Sequence, residues 1–360
     1  MSLLLSILWV FMLPGCLTMA ATLMLFVVGT DSVYKNVHHR LFIVWLGWAF
    51  VCGLLSQHVE MAIYGYAWRM EGWLTWLILA RLAWMYWEQM RDLRFITFMA
   101  VLGLGIVAAA SLDWVAKWHN WFRDFSEPRI ALGGFIGMAG VLLWIRNRFL
   151  VLLTIPFLFM ADSRSCVLGM IAGILVWEIS EAIRKKKTDT GEALSWLIVI
   201  CGVIVLLCPL AFKFTRIDPA TLGTGARAQW ALQAQWLIKQ HPIKGYGLDT
   251  LATVLWPPSG RGHELAHQGG KLVDAICDKT HNIILDILLM TGWPGLILCL
   301  LTFGSALGTA WLFPTASNRA CISGMIAWIV MGLVNPQGIP AHFLMLVCLI
   351  GINEQKICEE

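Results

Sequence analysis

The sequence predicts an all-α, polytopic integral membrane protein with about 11–12 transmembrane helices and one large extracytoplasmic loop. Three observations carry that prediction. Of 360 residues, 59% are hydrophobic and only 13% charged, against about 25% charged in a soluble domain. Mean hydropathy is +0.72. A charge facing hydrocarbon costs roughly 2.5–3.5 kcal/mol even on lenient insertion scales, so a scarcity of charge suits a lipid-facing surface. The second observation is repetition: apolar runs fall at roughly 3–28, 41–56, 72–87, 95–112, 130–145, 149–161, 166–182, 194–212, 281–313, 321–335 and 340–352. The third is the alternation of basic residues between those runs. Lys35 and Arg40, Arg91 and Arg94, Arg146 and Arg148, Arg184 to Lys187, Arg319 and Lys356 all fall on one side. Orientation follows Lys and Arg in short loops, which makes that side cytoplasmic.

Taken in order, residues 1–29 are too long and too apolar for a cleavable signal and lack a basic leading segment. They are expected to form a retained span or a short hairpin broken at Pro14-Gly15, which leaves the count at eleven or twelve. The opposite side then receives 57–71, 113–129, a turn at 162–165, the loop 213–280 and a turn at 335–339. In 113–124, Trp114, Trp118 and Trp121 recur at helical spacing with Lys117, Asn120 and Arg123 between them. That pattern suits a helix lying in the membrane interface. The whole chain, 1–360, reads as one transmembrane domain, with 213–280 inserted between transmembrane helices. Within that loop Ala226 to Gln240 is expected to be an amphipathic helix with Ala226, Trp230, Ala234, Leu237 and Ile238 on one face. Pro242 stops it and Gly245-Tyr246-Gly247 turns the chain. The segment from Pro257 to Gly270, rich in Gly and Pro, is expected to be irregular.

The net charge of +4 comes from scattered residues rather than a basic stripe, so nucleic acid is not an expected partner. Eight of the ten cysteines (Cys16, Cys52, Cys166, Cys201, Cys208, Cys299, Cys321 and Cys348) lie in apolar runs, and Cys277 has no evident mate in the loop. They read as small buried hydrophobes rather than a disulfide framework.

Three positions suggest chemistry. Arg164 sits where one apolar run ends outside and the next begins, and an arginine so placed pairs, here with Asp162, or lines a polar cavity. Arg227 falls in the first turn of the loop helix beside Gly223-Thr224-Gly225. A helix N-terminus attracts anions, so Arg227 there either strengthens a phosphate site or is a solvated loop charge. His281 opens a span in Asp278-Lys279-Thr280-His281-Asn282-Ile283-Ile284-Leu285-Asp286. A histidine at the membrane surface suits proton transfer near neutral pH. The loop also holds His263-Glu264-Leu265-Ala266-His267, an H-E-x-x-H pattern that in zinc peptidases puts two ligands on one helical face. Flanking Gly260, Gly262, Gly269, Gly270 and Pro257-Pro258 leave little room for the helix that pattern needs.

Taken together, these segments resemble the superfamily of O-antigen ligases and O-antigen polymerases, over most of the chain and in matching order. Arg69-Met70-Glu71-Gly72 resembles an early R-x-E-G segment, and Asp162-Ser163-Arg164-Ser165 an S-R-G turn with serine in place of the glycine. Arg227, Trp230, His241-Pro242 and Gly245-Tyr246-Gly247 resemble an R…W…P-x-x-G-x-G loop. His281 to Asp286, with Gly292 and Gly295-Leu296, resembles an H-N-x-x-L-D…G…G-L signature. The resemblance implies a GT-C-like, all-helical glycosyltransferase in the bacterial inner membrane. Its large loop and active site would be periplasmic, and it would need no metal or other cofactor. The implied partners are an undecaprenyl pyrophosphate-linked glycan donor, a lipid or glycan acceptor and the surrounding membrane lipid. It implies His281 as catalytic base and Arg164, Arg227, Arg69, Ser163, Asn282 and Asp286 as substrate-binding residues. The first expectation is an O-antigen ligase transferring to a lipid A core sugar. An O-antigen polymerase or protein O-oligosaccharyltransferase, a zinc metallopeptidase built on His263, Glu264 and His267, and a transporter or flippase stand as alternatives.

Overall fold

The computed structural model describes residues 36–65, 71–85, 101, 128–155, 164–186, 225–255, 265–268, 271–274, 279–334 and 338–354. The helices among them are α1 (Val37–Leu54), α2 (Val59–Tyr64), α3 (Trp73–Met85), α4 (Pro128–Arg146), α5 (Arg164–Lys186), α6 (Gly225–Gln240), α7 (Leu251–Val254), α8 (Ile283–Leu312), α9 (Ala316–Gly332) and α10 (Ile339–Gly351). Three are long and apolar enough to cross a bilayer: α1, the stretch Ser165–Arg184 of α5, and α8. Shorter apolar stretches, Trp73–Trp84, Gly133–Arg146 and Ala341–Gly351, pack among them. The expected all-helical membrane fold is present. The runs at 3–28 and 194–212, nearly all of 95–112, and the expected interfacial helix at 113–124 lie outside the described residues.

In a bilayer, helices gain little from hiding apolar side chains that lipid would solvate equally well, so their association rests on close packing and small residues at the crossings. α5 and α9 show how. A Cβ on Gly173 would stand 2.7 Å from the Ser323 carbonyl oxygen, and one on Gly169 would stand 2.2 Å from Met331 Cγ. Only glycine lets the two backbones come this near. Gly169 meeting Met331 while Gly173 meets Ser323 also means that the chains run in opposite directions. The start of α5 therefore lies beside the end of α9, and Gly332 there abuts Ile283 at the start of α8. In the middle, α10 packs on α3, α4 and α9, with every residue from Ala341 to Ile350 buried.

The bundle has two polar ends. At one, Asn36 Nδ2 donates to the Ile352 carbonyl (3.0 Å), Asn318 Nδ2 to the Asn353 carbonyl (2.8 Å), and Arg319 pairs with Glu181 (2.5 Å). Arg148 pairs with Glu178 there at 2.9 Å. This basic end gathers residues that the sequence puts on one side. At the other, loop end, Ser56 Oγ donates to the Tyr246 carbonyl (2.5 Å) and Lys244 Nζ to the Leu55 carbonyl (3.0 Å).

Two segments differ from expectation. The run at 149–161 begins as a 3-10 helix, Arg148–Thr154, capped by Asn147 Oδ1 accepting from the Phe149 amide (3.0 Å). Inside the loop expected to be irregular, Leu265–Gln268 (β1) pairs antiparallel with Lys271–Asp274 (β2). The register sets Gln268 opposite Lys271.

The break in α8 shapes the loop end. Gly292 has φ 67° and ψ −175°, and Pro294 follows it, so α8 is two helices meeting at a kink. A kink strands carbonyls that would otherwise be bonded within the helix, and these need other donors. The amide of Tyr246 donates to the Leu289 carbonyl (2.8 Å), that of Gly247 to Met290 (2.9 Å), and Trp48 Nε1 to Thr291 (2.8 Å). In return the Trp293 amide donates to the Pro242 carbonyl at 2.8 Å. A Cβ on Gly292 would lie 1.9 Å from the Ile243 carbonyl oxygen. The loop 241–250 is thus docked into the break, and behind it Ala234 and Leu237 of α6 form a small core with Leu248, Leu251 and Leu289.

Candidate functional site

The site grows from the four residues that lead into α8. Asn282 is the helix N-cap, its Oδ1 accepting from the amides of Ile284 (3.0 Å) and Leu285 (3.3 Å). Asp286, in the first turn and buried, accepts from the Thr280 amide (2.8 Å) and the Thr280 hydroxyl (2.7 Å). A carboxylate at that position also complements the partial positive charge of the helix start. Between these two anchors His281 adopts φ 59°, the left-handed region. For a non-glycine residue this costs on the order of 1–3 kcal/mol and persists only where neighbours impose it. The imidazole is half-buried.

On the other side of His281, Lys279 is buried and forms an ion pair with Glu71, itself buried at the segment leading into α3. The Glu71 amide donates to Asp249 Oδ2 at 2.9 Å, joining this segment to the docked loop. His342 of α10 brings Nε2 to 3.6 Å from Glu71 Oε2. Its ring lies 4.7 Å from that of Trp76 and 5.7 Å from that of Trp328. Three chain segments therefore meet at Glu71, two at its carboxylate and one at its amide.

Beneath this cluster lies a cavity between α1, α3, α8, α9 and α10. Glu71, Lys279, Asp286 and His342 line its polar part, and Trp45, Trp76, Trp328 and Phe303 are among its aromatic walls. His281 is not in the lining, but Lys279 and Ile283 on either side of it are. The arrangement offers charge and hydrogen-bonding groups at the loop end above an apolar pocket reaching into the bundle. That combination suits a ligand with a polar head and an apolar body.

In the docked loop, partial burial and the neighbouring Lys244 ammonium hold His241 below its ordinary pKa, and burial pushes the Tyr246 phenol up. Their rings meet edge-on at 4.7 Å.

Among the residues named from the sequence, His281, Asn282 and Asp286 come together here, the last two as the cap and the staple of the loop. Arg164 is the first residue of α5 and Arg227 the third of α6. Their side chains, and all of Arg69 and Ser163, lie outside the described residues. Since α5 starts beside the end of α9 and the start of α8, the Arg164 backbone belongs to the same loop end as His281. His267 lies in β1, not in a helix. His263 and Glu264 lie outside the described residues.

Sequence reasoning passed over four residues of the cluster: Glu71, Lys279, Asp249 and His342. Glu71 and Lys279 stood inside quoted motifs, and His342 stood in an apolar run, where an ionisable residue is itself a signal. Asp249 carried no signal in the sequence. Its left-handed φ of 55° appears only in the fold.

Residues 149–300 match a family model described as O-antigen ligase. The matched stretch contains Arg164, Arg227, His281 and Gly292, and leaves Glu71 and His342 outside it. The match supports glycosyltransferase activity of the O-antigen ligase and polymerase type. No curated protein matches the chain.

Proposed function

We propose that this chain, which carries an O-antigen ligase family domain over residues 149–300, transfers a glycan from a polyprenyl pyrophosphate carrier to an acceptor hydroxyl. The reaction takes place at its loop end, on the periplasmic face of a bacterial inner membrane. His281 takes the proton of the acceptor hydroxyl while that oxygen attacks the anomeric carbon. The bond from that carbon to the pyrophosphate oxygen breaks, and the polyprenyl pyrophosphate leaves as an anion. A single displacement of this kind inverts the anomeric centre. Arg164 and Arg227, each in the first turn of its helix, stabilise the charge that develops on the leaving group. Fixed cationic and N–H donors aimed at developing charge are commonly the largest catalytic contribution, and a helix start adds its own attraction for phosphate. Arg69 and Ser163 are further donor contacts. The acceptor assigned first is a lipid A core sugar, which makes the protein a ligase.

The observation that carries this reading is the presentation of His281: a left-handed residue held between a helix cap and a buried ion pair, above an aromatic cavity within the membrane bundle. Strain at a histidine in such a place is a mark of a functional residue. The orientation is supported by the basic residues gathered at the opposite end of the bundle.

The test is transfer of glycan from a purified polyprenyl pyrophosphate donor to core-sugar acceptor, with wild type, His281→Ala, Arg164→Ala, Arg227→Ala and His263→Ala. Losses in the first three variants with retention in the fourth support the reading. Retained activity in His281→Ala removes the base assignment. Transfer to a growing glycan but not to core sugar moves the assignment from ligase to polymerase.

A further inference from the structure

We infer that Glu71 is a positioning residue, which holds His281 in its working conformation through Lys279; the inference rests on the reading of His281 as the base. The argument starts from the backbone of His281. Its φ of 59° is one that a histidine does not keep unaided. On its C-terminal side the conformation is fixed by the Asn282 cap, and on its N-terminal side Asp286 binds both the amide and the hydroxyl of Thr280. One residue further back the chain is held a second time, through the ion pair of the Lys279 ammonium with Glu71. Without the ion pair the segment before His281 is anchored by Asp286 alone, one residue from the strained backbone, and His281 gains room to relax.

Glu71 is itself fixed in a way that suits this task. Its amide is tied to Asp249 at 2.9 Å, and Asp249 stands next to Thr250, whose hydroxyl bonds back to the Gly247 carbonyl at 2.9 Å. Gly247 donates to the Met290 carbonyl in the α8 break. A continuous path of hydrogen bonds therefore runs from the broken helix through the docked loop to Glu71, across the ion pair to Lys279, and back to the start of the same helix. With His342 Nε2 at 3.6 Å on the side facing α10, Glu71 is held at its amide by Asp249 and at its carboxylate by Lys279 and His342. It is the point at which the docked loop and α10 can register the position of His281.

Lys279 and Glu71 are respectively 7% and 5% exposed. In so dry a setting the pair is geometrically fixed, because neither side chain can trade its partner for water. A displacement of about 1 Å at a reacting group costs on the order of 10²-fold in rate, and that is the size of effect expected when the hold is lost.

The experiment uses the full chain in lipid nanodiscs, with Glu71→Gln, Glu71→Asp, the double variant Glu71→Gln/Lys279→Met, and His281→Ala. The readouts are kcat and donor KM for glycan transfer and hydrogen exchange at the amides of Thr280 to Asn282. In Glu71→Gln, kcat should fall about 10²-fold with little change in KM, and exchange at these amides should quicken while amides of α10 keep their protection. Glu71→Asp, which keeps the charge, should recover part of kcat. The double variant removes both charges, so it escapes the penalty of one buried unpaired ion and should be no worse than Glu71→Gln alone. A folded Glu71→Gln with wild-type kcat and unchanged exchange overturns the proposal, as does a change confined to KM. Full activity in His281→Ala sinks the base assignment and this proposal with it. An inactive His281→Ala beside a fully active Glu71→Gln sinks the positioning role alone.

Discussion

Arg148 and Glu178 meet at the basic end with 66% and 36% of their side chains exposed, whereas Lys279 and Glu71 meet at the loop end with 7% and 5%. The basic end does have a more sheltered pair, Arg319 with Glu181 at 9% and 15%, under the ring of Trp177. Even there, Arg184 reaches the same glutamate from a largely exposed position. The difference teaches what each end is for. Charges at the basic end lie at the margins of helices, where they can be solvated. At the loop end charge is drawn into the protein, between a docked loop, a helix break and an aromatic cavity, where holding it requires partners on every side. Stability alone does not favour such burial, because desolvating two ions can cost more than their attraction returns.

The comparison can be broken at several points. The largest contrast should be in activity. His281→Ala should lower transfer by about 10²–10⁴-fold, the usual contribution of a general base, while Arg148→Ala leaves turnover near wild type. Steady-state transfer assays on both variants decide it, and a comparable loss in Arg148→Ala would erase the distinction between the ends. Next comes stability. Lys279→Met leaves a buried carboxylate without its main partner and should cost about 3–5 kcal/mol, against about 0.2–1 kcal/mol for Arg148→Ala at an exposed pair. Equilibrium unfolding in mixed detergent micelles measures both, and equal losses would mean that the buried pair is far wetter than its exposure indicates.

The helix break sharpens the contrast along a single element. Gly292→Ala must hold alanine at φ 67° with its Cβ 1.9 Å from a carbonyl oxygen. The backbone strain alone costs about 1–3 kcal/mol, and the loop 241–250 must also move. Gly304→Ala, in the same element with nothing within 4 Å of the added Cβ, should be neutral or stabilise by about 0.5–1 kcal/mol. Thermal unfolding of the two variants compares the functional and the plain part of one span. The smallest effect is a pH slope in the docked loop. His241 is held below its ordinary pKa by partial burial, with Lys244 beside it. The unfolded chain therefore takes up its proton first, and stability falls as pH drops through about 6.5. His241→Asn should flatten that slope, and a Tm series from pH 7.5 to 5.5 in both proteins tests it.

Much of this was legible in the sequence because the relevant physics is local. A helix at 37–54, 73–85 or 339–351 follows from a largely apolar run, and the helix α6 follows from spacing and a terminal Pro242. Gly245 and Gly247 announced a turn, whereas Gly292 stood only in the resembled signature. That they form one joint, with loop amides meeting the carbonyls stranded by the kink, depends on segments more than forty residues apart. The run at 149–161 misled because apolar composition does not separate a short 3-10 segment from the start of a span. The antiparallel pair at 265–268 and 271–274 was hidden by a Gly- and Pro-rich context that also suits irregular chain.

By itself, then, the sequence determined that this protein lives in a membrane, which end of its bundle is basic, and that His281 opens a span at the opposite end. Charge cost in hydrocarbon and helical periodicity are properties of short stretches, and they can be read one stretch at a time. Only the tertiary structure decided that Glu71, Asp249, Lys279 and His342 form one buried cluster, since each comes from a different segment of the chain. The left-handed turn at His281 was likewise beyond the sequence. Its N-terminal neighbours are held by the local Thr280–Asp286 bonds and by the Lys279–Glu71 pair, and the second exists only once distant segments have packed.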